Sequence, residues 1–221
     1  MDLQTQSVWG LNNQEEIVVK LGTGGDSVVG VLPTNQIPVD ADGKLVLRIP
    51  ELDSIGSSPL STGFFDYNDS ATAITPISVL ANTWTKLTNN GLGAFTNKTY
   101  KPAGVAEVWN TTTNRFEWGD LVLGDTLDIR ADIDIITSVP NQIVNLAVFN
   151  AVGTAGEYEI DLMPETTYKT VGIKKIITYI GIYMGDTNTL NNPSEIRIRS
   201  DAACSVKVNG WYVRLLLVGQ H

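Results

Sequence analysis

Polar and apolar residues alternate along much of this chain with a period of two. Between Leu127 and Ile135 the odd positions hold Leu127, Ile129, Ala131, Ile133 and Ile135, and the even ones Asp128, Arg130, Asp132 and Asp134. Successive side chains of a strand point to opposite sides, so this stretch predicts a β-strand with one apolar and one charged side; a helix would mix the two sets. The N-terminal part predicts short strands at Ile17–Leu21 and Ser27–Leu32, parted by a GTGGD turn, and a hairpin across Asp42-Gly43. From Ile77 onward strand follows strand, through NQIVNLAVFN, GEYEIDLMPETTY, KKIITYIGIYM, SEIRIRS, CSVKVNG and WYVRLLLV, with turns at NTTTN and PNQ. Roughly eight or nine strands at this spacing predict an all-β sandwich.

Two late strands break the rule that a sandwich strand has one wet side. In IITYIGIYM, Thr178, Ile180, Ile182 and Met184 share one side while Ile177, Tyr179, Gly181 and Tyr183 share the other. In WYVRLLLV, Trp211, Val213, Leu215 and Leu217 oppose Tyr212, Arg214, Leu216 and Val218. A second apolar side needs a second cover, either the N-terminal segment or another subunit. Both strands are far in sequence from the N-terminal part, which favours a subunit. Residues 50–76 differ in composition, being rich in Ser, Thr, Gly, Pro and Asp. They predict a connector, with Phe64, Phe65 and Tyr67 as an anchor that docks on a neighbouring surface.

Composition narrows the functional classes. The chain has 221 residues, 43% hydrophobic and 18% charged, with net charge −9. It is long enough to bury a core without staples, and its single cysteine, Cys204, permits no internal disulfide. Cys204 lies in a strand-like run and is expected in the core. An acidic chain with scattered Lys and Arg is a poor partner for nucleic acid. No apolar run approaches the length of a membrane span, and the first residues do not form a secretion signal.

The run from ANTWTKLTNN, with Trp84, through WNTTTNRFEW and LGDTLDIRADIDIITSVPNQIVNLAVF to SEIRIRSDAACSVKVNGWYVRLLLV resembles the trimeric jelly-roll modules of tailed-phage virions. Those modules share their fold with the complement-C1q and tumour-necrosis-factor heads, and serve as head decoration (cement) proteins, head fibres and fibre tips. The resemblance covers about residues 77–221, and none of its motifs is catalytic. It implies a jelly-roll β-sandwich over 77–221 that forms a homotrimer, and leaves 1–76 as an extended β-rich arm. It also implies that the last strands line the threefold axis, which with the two-sided pattern makes Tyr179, Tyr183, Tyr212, Arg214 and Leu216 the expected trimer interface. The expected function is structural. The trimer would bind the major capsid protein on the outer head surface through its arms and the anchor Phe64, Phe65 and Tyr67. The alternative is a fibre-tip module that recognises a host glycan.

Chemistry is sparse. The one histidine, His221, is the last residue and is poorly placed to act as a base. No Ser-His-Asp, Cys-His or zinc set can be assembled, and GTGGDS lacks the Lys-Ser/Thr of a phosphate loop. The carboxylates Asp120, Asp125, Asp128, Asp132 and Asp134 are the remaining candidates for calcium or for acid–base work, weighed against a solvated strand side with Arg130 as counter-charge. DADG from Asp40 lacks the later ligands of a calcium loop. Trp109 and Trp118, beside the NTTTN turn, could stack on sugars, but are expected to serve packing. No enzyme activity, cofactor or metal is expected.

Overall fold

The computed structural model describes residues 9–11, 17–19 and 61–218. The expected strand Ser27–Leu32, the GTGGD turn, the Asp42-Gly43 hairpin and His221 lie outside them. The chain divides into two compact units, Met1–Ser57 and Ser58–His221. In the first, β1 (Trp9–Leu11) and β2 (Ile17–Val19) pair antiparallel.

The second unit begins earlier in the chain than the expected position 77. Its first strand is β3 (Ser61–Asn68), which carries the GFFDY segment, and a short helix follows at Ala71–Ile74. The remaining strands are β4 (Ile77–Val79), β5 (Thr85–Lys86), β6 (Trp109–Asn110), β7 (Arg115–Phe116), β8 (Thr126–Thr137), β9 (Gln142–Asn150), β10 (Tyr158–Tyr168), β11 (Gly172–Tyr183), β12 (Glu195–Ser200) and β13 (Cys204–Leu217). One sheet runs β11-β8-β13-β3, with β4 also on β13, and the other β10-β9-β12-β5. Antiparallel pairs are nested along the chain: β9 with β10, β8 with β11, β5 with β12, and β3 with β13. Successive pairs alternate between the two sheets. A ribbon of strand pairs wound in this way is a jelly roll, so the fold class read from the sequence holds.

Between the sheets lies one core. From β8 it takes Leu127, Ile129, Ala131, Ile133 and Ile135, and from β13 Trp211, Val213, Leu215 and Leu217, all 2% exposed or less. The alternation in both sequences is thus an inside–outside alternation. An aromatic cluster fills one part of the core. Trp109 meets Phe116 edge-on at 4.7 Å and Trp211 at 6.0 Å, and Phe116 stacks on Trp118 at 5.5 Å. The Trp109 indole donates to the Asn89 carbonyl, and that of Trp118 to the Ser194 hydroxyl. Buried indoles with their N–H groups satisfied are packing elements.

Two local features differ from the sequence reading. Asn209-Gly210 does not separate two strands; β13 runs through it as one strand with a bulge between Val208 and Gly210. The extra residue resets the parity, so Val206 and Val208 before it and Trp211 and Val213 after it all face inward. Glycine is required there, because a Cβ on Gly210 would sit 2.8 Å from the Tyr67 carbonyl oxygen. The other difference is β3, whose Phe65 and Tyr67 are fully buried and stack at 5.7 Å. They are core residues and cannot dock on another protein. Turn chemistry follows the sequence more closely. Asn114 ends NTTTN at φ 51° and Asn141 sits in the PNQ turn at φ 58°, a left-handed conformation that asparagine tolerates better than most residues.

Replacing Phe116 by Ala removes the ring that Trp109 and Trp118 both pack against. The expected loss is about 3–5 kcal/mol of stability, read as a lower denaturant midpoint at unchanged slope.

Candidate functional site

The sheet β11-β8-β13-β3 has a second face, turned away from the core. Strand register sets it out in rows. Tyr179 on β11 lies opposite Arg130 on β8, which lies opposite Tyr212 on β13, which lies opposite Asp66 on β3. The next row is Gly181, Asp128, Arg214 and Phe64, and the one beyond it Tyr183, Thr126, Leu216 and Thr62. On the other side, Ile177 pairs with Asp132, and Asp134 lies between Lys175 and Lys207.

Large apolar groups on this face are open to solvent. Tyr179 is 64% exposed, Tyr183 62%, Ile173 64% and Ile177 53%. Phe64 packs between Tyr100 at 5.4 Å and Tyr212 at 5.3 Å, which extends the aromatic row to the sheet edge. A groove lined by Asp128, Tyr179, Gly181, Tyr212 and Arg214 crosses the middle, where Gly181 supplies no side chain.

The acids of the face find partners within it. Arg214 donates to the Asp128 carboxylate from Nε at 3.0 Å and also from a terminal nitrogen. The Asn209 amide donates to Asp132 at 2.9 Å and to Asp134 at 3.4 Å. Burial pushes the Asp66 carboxyl up, against the pull of the Arg130 charge and the hydrogen bond from Asn68. Four acids (Asp66, Asp128, Asp132, Asp134) balance four bases (Arg130, Lys175, Lys207, Arg214), so the face is neutral on a chain of net charge −9.

The outer face of the second sheet is built differently. Its aromatics, Phe149 and Trp84, meet edge-on at 5.0 Å and are roofed by Arg197 and Arg199, at 4.3 and 5.1 Å from their ring centres. Arg197 pairs with Glu195 and Glu157, Arg199 with Glu165, and Arg115 with Glu195. The two rings of that face are thus covered by its own chain, while Ile143 at its end stays 37% exposed. The anchor of this cover is Glu195, 3% exposed. Burial works to raise the Glu195 carboxyl, but hydrogen bonds from Arg115 and Arg197 and the charges of Arg197 and Lys86 outweigh it, leaving it below the usual carboxylate range.

All five residues expected at a subunit contact, Tyr179, Tyr183, Tyr212, Arg214 and Leu216, fall on the open face. Of the three expected anchors, only Phe64 does. Asp128, Arg130, Asp132 and Asp134, read as a solvated strand side, share this face with the exposed aromatics, so it is neither purely charged nor purely apolar. The remaining carboxylate candidates have structural roles. Asp125, fully buried, accepts from the Val122 and Val218 backbone N–H groups, tying the entry of β8 to the end of β13. Asp120 accepts from the Ala106 backbone. Among the described residues, no group of three or more His, Cys, Asp or Glu could hold a metal ion. Trp109 and Trp118 are in the core, which removes them as sugar platforms. Cys204 is half-buried against the core, and burial pushes its thiol up, the opposite of a reactive thiolate. Sequence reading missed Tyr100, which stands in a loop with no strand period to mark it.

No protein-family model and no curated protein matches the sequence. Among solved structures, the chain is similar to one of the infectious bursal disease virus Gt strain, at 11% identity and TM-score 0.39, covering 94% of this chain and 44% of that one. The chain thus spans under half the length of that viral chain. It is also similar to the Eiger TNF of S. frugiperda, at 9% identity and TM-score 0.40, covering 73% and 96% of the two chains. A third is the vertex protein of PRD1, at 12% identity and TM-score 0.36, covering 90% and 91%.

Glu195 carries a pH prediction. A carboxylate held below its unfolded pKa contributes stability above that pKa and loses it as pH falls through the folded value. Stability therefore declines as pH drops below the ordinary glutamate value of 4.5. Glu195→Gln should be less stable than the parent at pH 7, and the gap should close on acidification; calorimetry across pH 3–7 (roughly the range over which carboxylates titrate) reads it. A constant gap would contradict the assigned role.

Proposed function

We propose that this chain is a structural virion protein, a phage head decoration (cement) protein. On this reading it assembles as a homotrimer through the open face of the β11-β8-β13-β3 sheet and grips the major capsid protein on the outer head surface through its N-terminal unit. The observation that carries the reading is the contrast between the two sheet faces. One is roofed by its own arginines and acids; the other leaves Tyr179, Tyr183, Ile177 and Leu216 in water. Exposed, contiguous apolar surface of this kind on a folded sandwich marks a contact with another macromolecule. A neutral face on an acidic chain lets like copies approach without repulsion. The resemblance of residues 77–221 to trimeric virion modules supplies the number three and the setting.

The mechanism is area and linkage. Three N-terminal units on one trimer would each grip the shell, and the second and third contacts gain from the effective concentration set by the first. The acidic surface suits a position outside the shell, away from packaged DNA. No catalysis is assigned; Asp120, Asp125 and Glu195 hold structure.

The rival reading, a fibre tip that binds a host glycan, draws on the groove between Tyr179 and Tyr212, where aromatic and charged groups converge. It predicts that soluble glycans bind and that free protein blocks adsorption.

Removing residues 1–57 should leave the oligomer intact and abolish sedimentation with capsids; heads still decorated by the truncated protein would contradict the arm. Tyr179→Glu with Tyr183→Glu should disperse the oligomer to monomers while circular dichroism stays that of the parent. An unchanged mass would place the contact elsewhere.

A further inference from the structure

One arginine on the open face has no acceptor of its own among the described residues. Arg130 stands at the middle of β8, with Tyr179 opposite on one side and Tyr212 on the other. Its guanidinium lies 5.3 Å from the centre of the Tyr212 ring. Its Nε is closed off from solvent and has no hydrogen-bond partner. The other acceptors of the face are engaged or out of line. Asp128 is taken by Arg214, Asp132 and Asp134 share the Asn209 amide, and Asp66 lies beyond Tyr212 and acts on Arg130 only through space. The terminal nitrogens are not closed off in this way, and water can serve them while the face is open. Once the face is covered, an unpaired guanidinium becomes costly unless the cover brings acceptors.

We propose that Arg130 is the anchor of the subunit contact, lying over Tyr212 with Tyr179 opposite it in register, and that it takes a carboxylate which a second copy of this chain brings onto the face. The inference rests on the oligomer reading and says which contact within it sets strength and partner choice. The chemistry points to a carboxylate. A planar guanidinium offers parallel N–H groups that match two carboxylate oxygens, and desolvation between tyrosine rings strengthens such a pair. A second copy is the favoured source, because the chain carries 24 Asp and Glu against 15 Lys and Arg and its open face is neutral. An arginine framed by two tyrosines is also the composition that concentrates binding energy at interfaces.

The test is a dilution series by sedimentation velocity on the full chain and on Arg130→Met and Arg130→Lys. Methionine keeps an apolar stem and removes the donors; lysine keeps the charge and loses the fork. Thermal unfolding followed by tryptophan fluorescence checks the sandwich, which Arg130 does not help to hold through any hydrogen bond. The expected result is an oligomer whose dissociation constant rises about 30-fold or more in Arg130→Met, as for truncation of one partner of a buried charge pair, with Arg130→Lys in between. If the parent associates and Arg130→Met associates as tightly or more tightly, the anchor is wrong while the oligomer stands. If Arg130→Lys alone matches the parent, the contact needs charge and not the carboxylate-matching fork, which also overturns it. A parent that stays monomeric at every concentration overturns the oligomer reading itself and the anchor with it.

Discussion

Among the described residues one sheet is covered on one side only, and the proposed role depends on that constraint. The β11-β8-β13-β3 sheet packs its inner face into a core of isoleucine, valine, leucine and tryptophan, and leaves its outer face studded with tyrosine, isoleucine and leucine. Burying one large apolar side chain is worth about 1.5–3 kcal/mol, so the outer face holds an association energy that folding of the chain leaves unused. The other sheet shows that the chain can cover aromatic rings by itself. There Arg197 and Arg199 lie over Phe149 and Trp84 and are pinned by glutamates. The difference between the two faces is what the proposed subunit contact rests on.

The jelly-roll winding explains why the open residues, scattered in sequence, meet. Strand β8 sits between β11 and β13, so charges at Asp128, Arg130 and Asp134 fall among the tyrosines and lysines of strands that follow it by tens of residues. Each of its charges is offered a neighbour across the pleat. Asp128 takes Arg214, Asp134 lies in register between two lysines, and only Arg130 is framed by rings instead. The bulge at Asn209-Gly210 contributes twice. It places the Asn209 amide between two carboxylates, and it sets Tyr212, Arg214 and Leu216 on the open face by shifting the parity of the strand.

Much of this was legible in the sequence, because period-two alternation is a property of one strand and needs no partner to be seen. It assigned the inward and outward sides of β8, β11 and the end of β13 correctly, and the excess of apolar outward residues marked the open face. Register is different, since it depends on which strands pair, and so the charges of β8 read as a plain solvated side. Segment 61–68 misled for another reason. Its alternation of Phe65 and Tyr67 inward with Phe64 and Asp66 outward is present, but the Ser, Gly and Pro around it have the composition of a connector. At two residues each, β5, β6 and β7 are too short to show a period. Asp125 looked like a candidate ligand; that it accepts from the backbone N–H of Val218, 93 residues further along the chain, is a property of the fold alone.

The measurement that bears most directly on the open face is the mass of the intact protein by light scattering after size exclusion. The account predicts a single species of three chains, three times the 24.0 kDa of one. A sharp peak at the mass of one chain would contradict it, because the aromatic face would then be stable in water and would need no partner copy.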